Sequence, residues 1–217
     1  MNAPADPRDP GPLEQKLRDA GYFPSRELAT SLRLALALDR PLLLEGPAGV
    51  GKTELSRAAA RALGRPLLRL QCYEGLDESR AIYEWDYAKQ ILYTQLLRDA
   101  VRDALTGLPE GDAALRAAVD RVAALETAFF SERFLVARPL LAAIRSEEPV
   151  VLLIDEVDRA DPEFEALLLE VLADHAITVP ELGTFRAKHP PLFVLTTNAT
   201  RELTDALRRR CLHAMVD

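Results

Sequence analysis

The sequence predicts an α/β protein whose parallel sheet is covered by helices on both faces. Three observations carry this expectation. Near-continuous apolar runs at 42–45, 149–158 and 191–198 read as strands buried on both sides, since a strand with one wet face would alternate. Segments with helical spacing lie between those runs. The first run leads directly into Gly-x-x-x-x-Gly-Lys-Thr at 46–53, followed by another helical pattern.

Taken in order, residues 1–12 carry Pro4, Pro7, Pro10 and Pro12 among small and charged residues and read as a flexible lead-in to a folded unit over 13–217. Ser25 caps a helix running to about Asp39, with Leu28, Leu32, Ala35 and Leu36 on its buried face, and Pro41 ends it. Strand one is 42–45. The helix over 52–63 buries Leu55, Ala59 and Ala62 and stops at Gly64. Strand two is 67–71. Residues 73–148 are mostly helical, which is long for one crossover and reads as an insertion. One helix spans 88–105, "TGLPEG" breaks it, a second spans 112–129, and a third starts near Pro139. Trp85, Tyr87 and Tyr93 read as anchors of this insertion on the core. Strands three and four are 149–158 and 191–198, and "CLHAMVD" supplies a fifth. Between three and four, β-branched residues around Pro180 and Gly183 predict a hairpin over 176–187.

Composition narrows the function. The 217 residues are 48% hydrophobic, enough for a sizeable core, and carry a net charge of −7, from 27 basic and 34 acidic residues. That balance argues against a general nucleic-acid or anionic-membrane binder. Cys72 and Cys211 are the only cysteines, so neither a disulfide framework nor a metal-ligand spacing is present. No leader and no apolar run of membrane-spanning length stand out, which makes a reducing cytoplasm the default expectation.

The chemistry concentrates in four places. Gly46, Pro47, Ala48, Gly49, Val50, Gly51, Lys52 and Thr53, with Glu54 next in the helix, form a phosphate-binding loop. Glycines let the backbone close on a phosphate, and the loop N–H groups and the helix N-terminus face the anion. Lys52 reaches the β- and γ-phosphates, and the Thr53 hydroxyl serves Mg²⁺. A chance match to this pattern is expected in fewer than about one chain in a hundred of this length. Asp155, at the end of strand three, suits a Mg²⁺ ligand, and Glu156 suits the base that activates water. Asn198 ends strand four, where its amide suits positioning of that water. Arg208, Arg209 and Arg210 follow. A run of arginines is commonly a solvated helix end, and arginine is also the natural donor to phosphoryl charge from a neighbouring subunit.

This ordering resembles the AAA+ ATPases, and more closely their MoxR-type branch. The strings that carry the resemblance are "RPLLLEGPAGVGKTELSRAAARAL", "ARPLLAAI", "VVLLIDEVDRADPEFEALLLEVLADHAITVPELG" and "FVLTTNATRELTDALRRRCL", within residues 21–217. The resemblance implies a P-loop AAA+ three-layer core with a five-stranded parallel sheet of order 5-1-4-3-2, a helical insertion between strands two and three, and the hairpin before sensor 1. It implies ATP and Mg²⁺ as ligands, Asp155 and Glu156 as the Walker B pair, Asn198 as sensor 1 and Arg210 as the finger acting in trans, with Arg209 next in line. Gly21, Tyr22 and Phe23 lie where the family lines its adenine pocket. The family continues into a helical lid, whereas this chain stops at Asp217, so the resemblance implies a lid-less core that assembles and turns over weakly by itself.

Members of the branch act as chaperones in hexameric rings, often with a von Willebrand factor A partner and a client enzyme, and several help mature metalloenzymes. "IYEWDYAKQILYTQ" is similar to a branch that includes accessory proteins for carbon monoxide dehydrogenase. Two other functions compete with ATP-driven remodelling. A DNA-acting motor or clamp-loader-like subunit would bind DNA in a salt-sensitive way. A non-hydrolysing nucleotide-dependent binding module would lack turnover, against which Asp155, Glu156 and Asn198 all argue.

Overall fold

A computed structural model describes residues 11–96 and 129–217. Helices α1 (Gly11–Asp19) and α2 (Arg26–Ala37) precede strand β1 (Leu42–Glu45), helix α3 (Lys52–Leu63) and strand β2 (Leu67–Gln71). Then come α4 (Glu78–Ala81), β3 (Tyr83–Trp85), α5 (Tyr87–Leu96), β4 (Leu135–Ala137), α6 (Pro139–Ile144) and β5 (Val151–Asp155). The chain continues through α7 (Pro162–Asp174), β6 (Ala176–Val179), β7 (Gly183–Arg186), β8 (Leu192–Thr197), α8 (Asp205–Arg210) and β9 (Leu212–Met215).

The central sheet has five parallel strands in the order β2-β5-β8-β1-β9. With the four strands of the two small antiparallel sheets left out of the count, this reads 5-1-4-3-2 from the β9 edge, so only the chain numbering departs from the expected order. Alternation along each strand builds two cores. Leu43, Leu152, Ile154, Phe193 and Leu195 face one side and pack against Leu140, Ile144, Phe164 and Leu168 of α6 and α7. Leu42, Leu44, Val151, Leu192 and Val194 face the other side and meet Leu17, Leu32, Leu55 and Ala59 of α1, α2 and α3. Every residue of β1 through Leu44, and all of β5 and β8, is buried, which is why these runs carry no polar alternation. Each fully buried leucine contributes about 1.5–3 kcal/mol.

Local signals explain most boundaries. The Ser25 hydroxyl accepts from the Leu28 N–H at 3.2 Å and caps α2. Gly64 ends α3 in the left-handed region. At the end of α7 the left-handed cap is His175, whose ring stacks on Phe193 at 5.9 Å. The expected hairpin is β6–β7, with the Thr178 and Thr184 hydroxyls 2.9 Å apart across it.

Three expectations need correction. The lead-in does not extend to residue 12. Gly11 and Pro12 open α1, where a first-turn proline removes no helical hydrogen bond, and Leu13 and Leu17 bury against the core. Residues 1–10 lie outside the described residues. Strand three is trimmed from 149–158 to Val151–Asp155, because Glu156 turns into the left-handed region at φ 55°. The 73–148 region is not helical at its base. There β3 and β4 pair antiparallel, Tyr83 opposite Ala137 and Trp85 opposite Leu135. Trp85 packs edge-on to Tyr83 and Phe130, and Tyr93 packs on Phe134, so both anchor as expected; Tyr87 is exposed and does not. The helix expected from 88 starts at Tyr87 and is described to Leu96. The "TGLPEG" break lies outside the described residues, as does the 112–129 helix up to its last residue.

Candidate functional site

The phosphate loop joins the C-terminal end of β1 to the N-terminus of α3, the edge at which parallel sheets bind ligands. Gly51 precedes α3 at φ 96°, a left-handed conformation that favours glycine. Gly46 is required by a neighbour far away in sequence, since a Cβ there would stand 2.0 Å from the Val216 carbonyl oxygen. Gly46→Ala is therefore expected to push the loop off β9. It should lower the melting temperature through overpacking of about 1–3 kcal/mol and weaken ADP binding at least about tenfold. Thermal denaturation and calorimetry read the two effects, and a variant unchanged in both would show that the loop yields freely.

Lys52 is 6% exposed, and its ammonium donates to the carbonyls of Gly46 and Pro47, both at 2.6 Å, and to Asn198 Oδ1 at 2.8 Å. Burial pulls this ammonium below its ordinary pKa, while the carboxylates of Asp158, Asp155 and Glu156 pull the other way. The Thr53 hydroxyl lies 3.1 Å and 3.3 Å from the two oxygens of Asp155, which ends β5 and is 4% exposed. Strand β8, between β1 and β5, supplies the link. The Thr196 hydroxyl donates to Asp155 Oδ1 at 2.6 Å and accepts from the Glu156 N–H at 2.8 Å. That second bond holds Glu156 in its left-handed backbone, which costs about 1–3 kcal/mol for such a residue. Its carboxylate accepts from Gln71 Nε2 at 3.0 Å and Asn198 Nδ2 at 3.4 Å, and pairs with Arg159 at 3.3 Å.

The structure thus brings Lys52, Thr53, Asp155, Glu156 and Asn198 together around a cleft of about 340 Å³. Ala48 and Gly49 line it as well. Glu54 sits at its edge with its carboxylate drawn to Arg61 at 2.8 Å and Arg57 at 3.4 Å. A second cleft of about 530 Å³ is lined by Tyr22, Phe23, Leu28, Val50, His213 and Met215. Tyr22 packs close under Gly51, and burial raises its hydroxyl's pKa. Phe23 is 75% exposed, beneath the Arg18 guanidinium. Arg210 is not in either cleft. It lies at the opposite edge of the sheet, where α8 meets the start of β9.

Sequence reasoning missed several residues here. Arg69 and Gln71 reach Asp155 and Glu156 from β2, and the signal was there: two polar side chains in the otherwise apolar "LLRLQ". Arg40 holds the end of α8, donating to the carbonyls of Arg209 at 2.7 Å and Arg210 at 2.9 Å. Asp158 holds the turn after Asn198 through the Thr200 N–H and hydroxyl at 3.0 and 2.6 Å. Burial works to raise the Asp158 pKa, and those bonds outweigh it and hold it below the ordinary range. Cys72, next to Gln71, is no nucleophile, since burial pushes its thiol up to about 12.

The family profile described as AAA ATPase domain matches residues 25–184, most of the chain. The chain belongs to the AAA ATPase domain family. Within it, the string from Asp155 to Cys211 resembles the MoxR-type branch. A 61-residue stretch is 38% identical to Protein NorQ of Paracoccus denitrificans (strain Pd 1222), covering 28% of this chain and 23% of that one. A crystal structure of a candidate ATPase from Cytophaga hutchinsonii ATCC 33406 superposes with a TM-score of 0.57 at 16% identity. It covers 96% of this chain and 51% of its own, and so shares the fold; this AAA ATPase domain spans about half the length of that neighbour.

As donors, Asp155 and Thr53 fit Mg²⁺, which takes hard oxygen ligands from one or two carboxylates, a hydroxyl and substrate phosphates rather than a full protein cage. No group of three or more His, Cys, Asp or Glu side chains among the described residues could hold a metal. No helix among them is long and apolar enough to cross a membrane.

Proposed function

We propose that this AAA ATPase domain binds ATP with Mg²⁺ and hydrolyses it to ADP and phosphate. The observation that supports the reading best is the convergence of Lys52, Thr53, Asp155, Glu156 and Asn198, from α3 and the ends of β5 and β8, on one phosphate loop. In this reading the loop N–H groups and the positive end of α3 seat the phosphates. Lys52 neutralises them, and Tyr22 and Phe23 flank the base in the second cleft. Bound Mg²⁺, held by Thr53 and Asp155, supplies neutralisation of the charge that develops on the phosphates. Glu156 takes the proton of the attacking water, and Asn198, bonded to both Lys52 and Glu156, keeps the phosphate-binding lysine and the base in register. Arg210 serves the site of the neighbouring copy in a hexameric ring in the cytoplasm.

The turnover drives remodelling of a client protein in this proposal, with a von Willebrand factor A partner and a metalloenzyme client as the chemistry to look for. The support is the resemblance of residues 155–211 to that branch. The first test is binding. Lys52→Ala is expected to lose ATP and ADP affinity by calorimetry, because removing the ammonium leaves the phosphate charge facing Asp155, Glu156 and Asp158 unbalanced. Unchanged affinity would take the loop out of the site.

A further inference from the structure

Arg69 sits in the middle of β2, and its guanidinium closes on the carboxylate expected to hold the metal. Nε and Nη2 donate to Asp155 Oδ2 at 3.1 and 2.7 Å. Oδ1 is met by the Thr196 and Thr53 hydroxyls. Both oxygens of a carboxylate that is 4% exposed are therefore engaged, and Arg69 is the cation that balances its charge. Lys52 acts on it only at longer range, its ammonium being bonded to Gly46, Pro47 and Asn198. Burying a carboxylate without a counter-charge is strongly unfavourable, so Asp155 needs a partner at all times. A divalent cation on the same carboxylate would sit within a few ångströms of the guanidinium, where like charges repel strongly in a partly buried site. Arg69 can give way. Its side chain is 46% exposed and lines the open cleft, so it moves without repacking the core.

We propose that Arg69 is the resident counter-ion of Asp155 and that Mg²⁺ displaces it from Oδ2 as the nucleotide complex loads. Arg69 thereby sets the metal concentration at which the site fills. This rests on reading the cleft as a Mg²⁺–nucleotide site. The exchange keeps a positive charge on the buried carboxylate throughout and makes nucleotide alone a poor substitute for nucleotide with metal.

The test is a calorimetric titration of ADP into wild type, Arg69→Gln and Arg69→Lys at constant ionic strength, in chelator and across a Mg²⁺ series. Arg69→Gln is expected to lower the half-saturating Mg²⁺ about tenfold, while ADP affinity in chelator stays within about threefold. Arg69→Lys, which keeps the charge, should stay near wild type. With no nucleotide present, Mg²⁺ alone should raise the melting temperature of Arg69→Gln more than that of wild type. Should Arg69→Gln fold poorly, Arg69→Met, which keeps the apolar stem, is measured in its place. An unchanged or higher half-saturating Mg²⁺ in the uncharged variant overturns the proposal. So does an equal loss of ADP affinity at every Mg²⁺ concentration, which marks a phosphate contact or a purely structural role. Failure of the wild type to bind ADP at any Mg²⁺ concentration instead sinks the nucleotide-site reading itself.

Discussion

Arg210→Ala is expected to bind ATP as tightly as the wild type and to lose about 10³- to 10⁵-fold in turnover in the assembled protein. The argument is topological. Leu212 of β9 pairs with Leu42, the first residue of β1, whereas the phosphate loop follows Glu45, the last. A four-residue strand rises about 3.3 Å per residue, so roughly 10 Å of sheet separates Arg210 from its own phosphates. The end of α8 is also held rigidly in place. Thr204 caps the start of the helix, and Arg40 grips the carbonyls of Arg209 and Arg210 at its end. Of the three arginines, Arg208 turns back towards Glu45 at 3.9 Å, while Arg209 and Arg210 are exposed. An exposed arginine at a capped helix end, outside both clefts, is what the proposed action on a neighbouring copy requires. Mixing Arg210→Ala with Lys52→Ala should therefore restore part of the activity, because the Lys52 variant still offers its arginine to an intact site. Common assemblies with no returning ATPase would rule out action in trans. If Arg209→Ala loses turnover while Arg210→Ala keeps it, the finger is the preceding residue.

The second large effect is at Glu156. Glu156→Gln should keep ATP binding and slow hydrolysis about 10²- to 10⁴-fold, the usual cost of losing a general base. The substitution is mild because what positions this residue, apart from the ion pair with Arg159 at 3.3 Å, does not depend on its charge. Its backbone is pinned by the Thr196 hydroxyl, and a glutamine oxygen can still accept from either Gln71 or Asn198, which reach different oxygens of the carboxylate. What is lost is the ability to take a proton. Single-turnover hydrolysis beside equilibrium binding of ATP separates the two outcomes. Wild-type turnover in the variant would assign the water to another residue.

Much of this arrangement was legible before any coordinates. The strands announced themselves by apolar runs, the phosphate loop by its glycines and Lys52, α2 and α3 by their caps, and the carboxylate pair by its place at a strand end. All of these are signals between residues a few positions apart, and sterics and hydrophobic period act over that range regardless of the rest of the chain. The tertiary structure decided the remainder. Gly46 is required by the carbonyl of Val216, 170 residues later, and Arg40 serves α8 across a similar span. Arg69 and Gln71 belong to the site only because β2 pairs with β5 in the register that sets Gln71 opposite Asp155. Thr196 became the pivot of the carboxylate pair because β8 lies between β1 and β5. Pro12 read as part of a flexible lead-in and proved to stand in the first turn of a helix, since burial of Leu13 and Leu17 against α3 made that turn worth forming. Local pattern determines which elements form. Which charges meet depends on strand order and register, which exist only once the whole sheet has closed around its two cores.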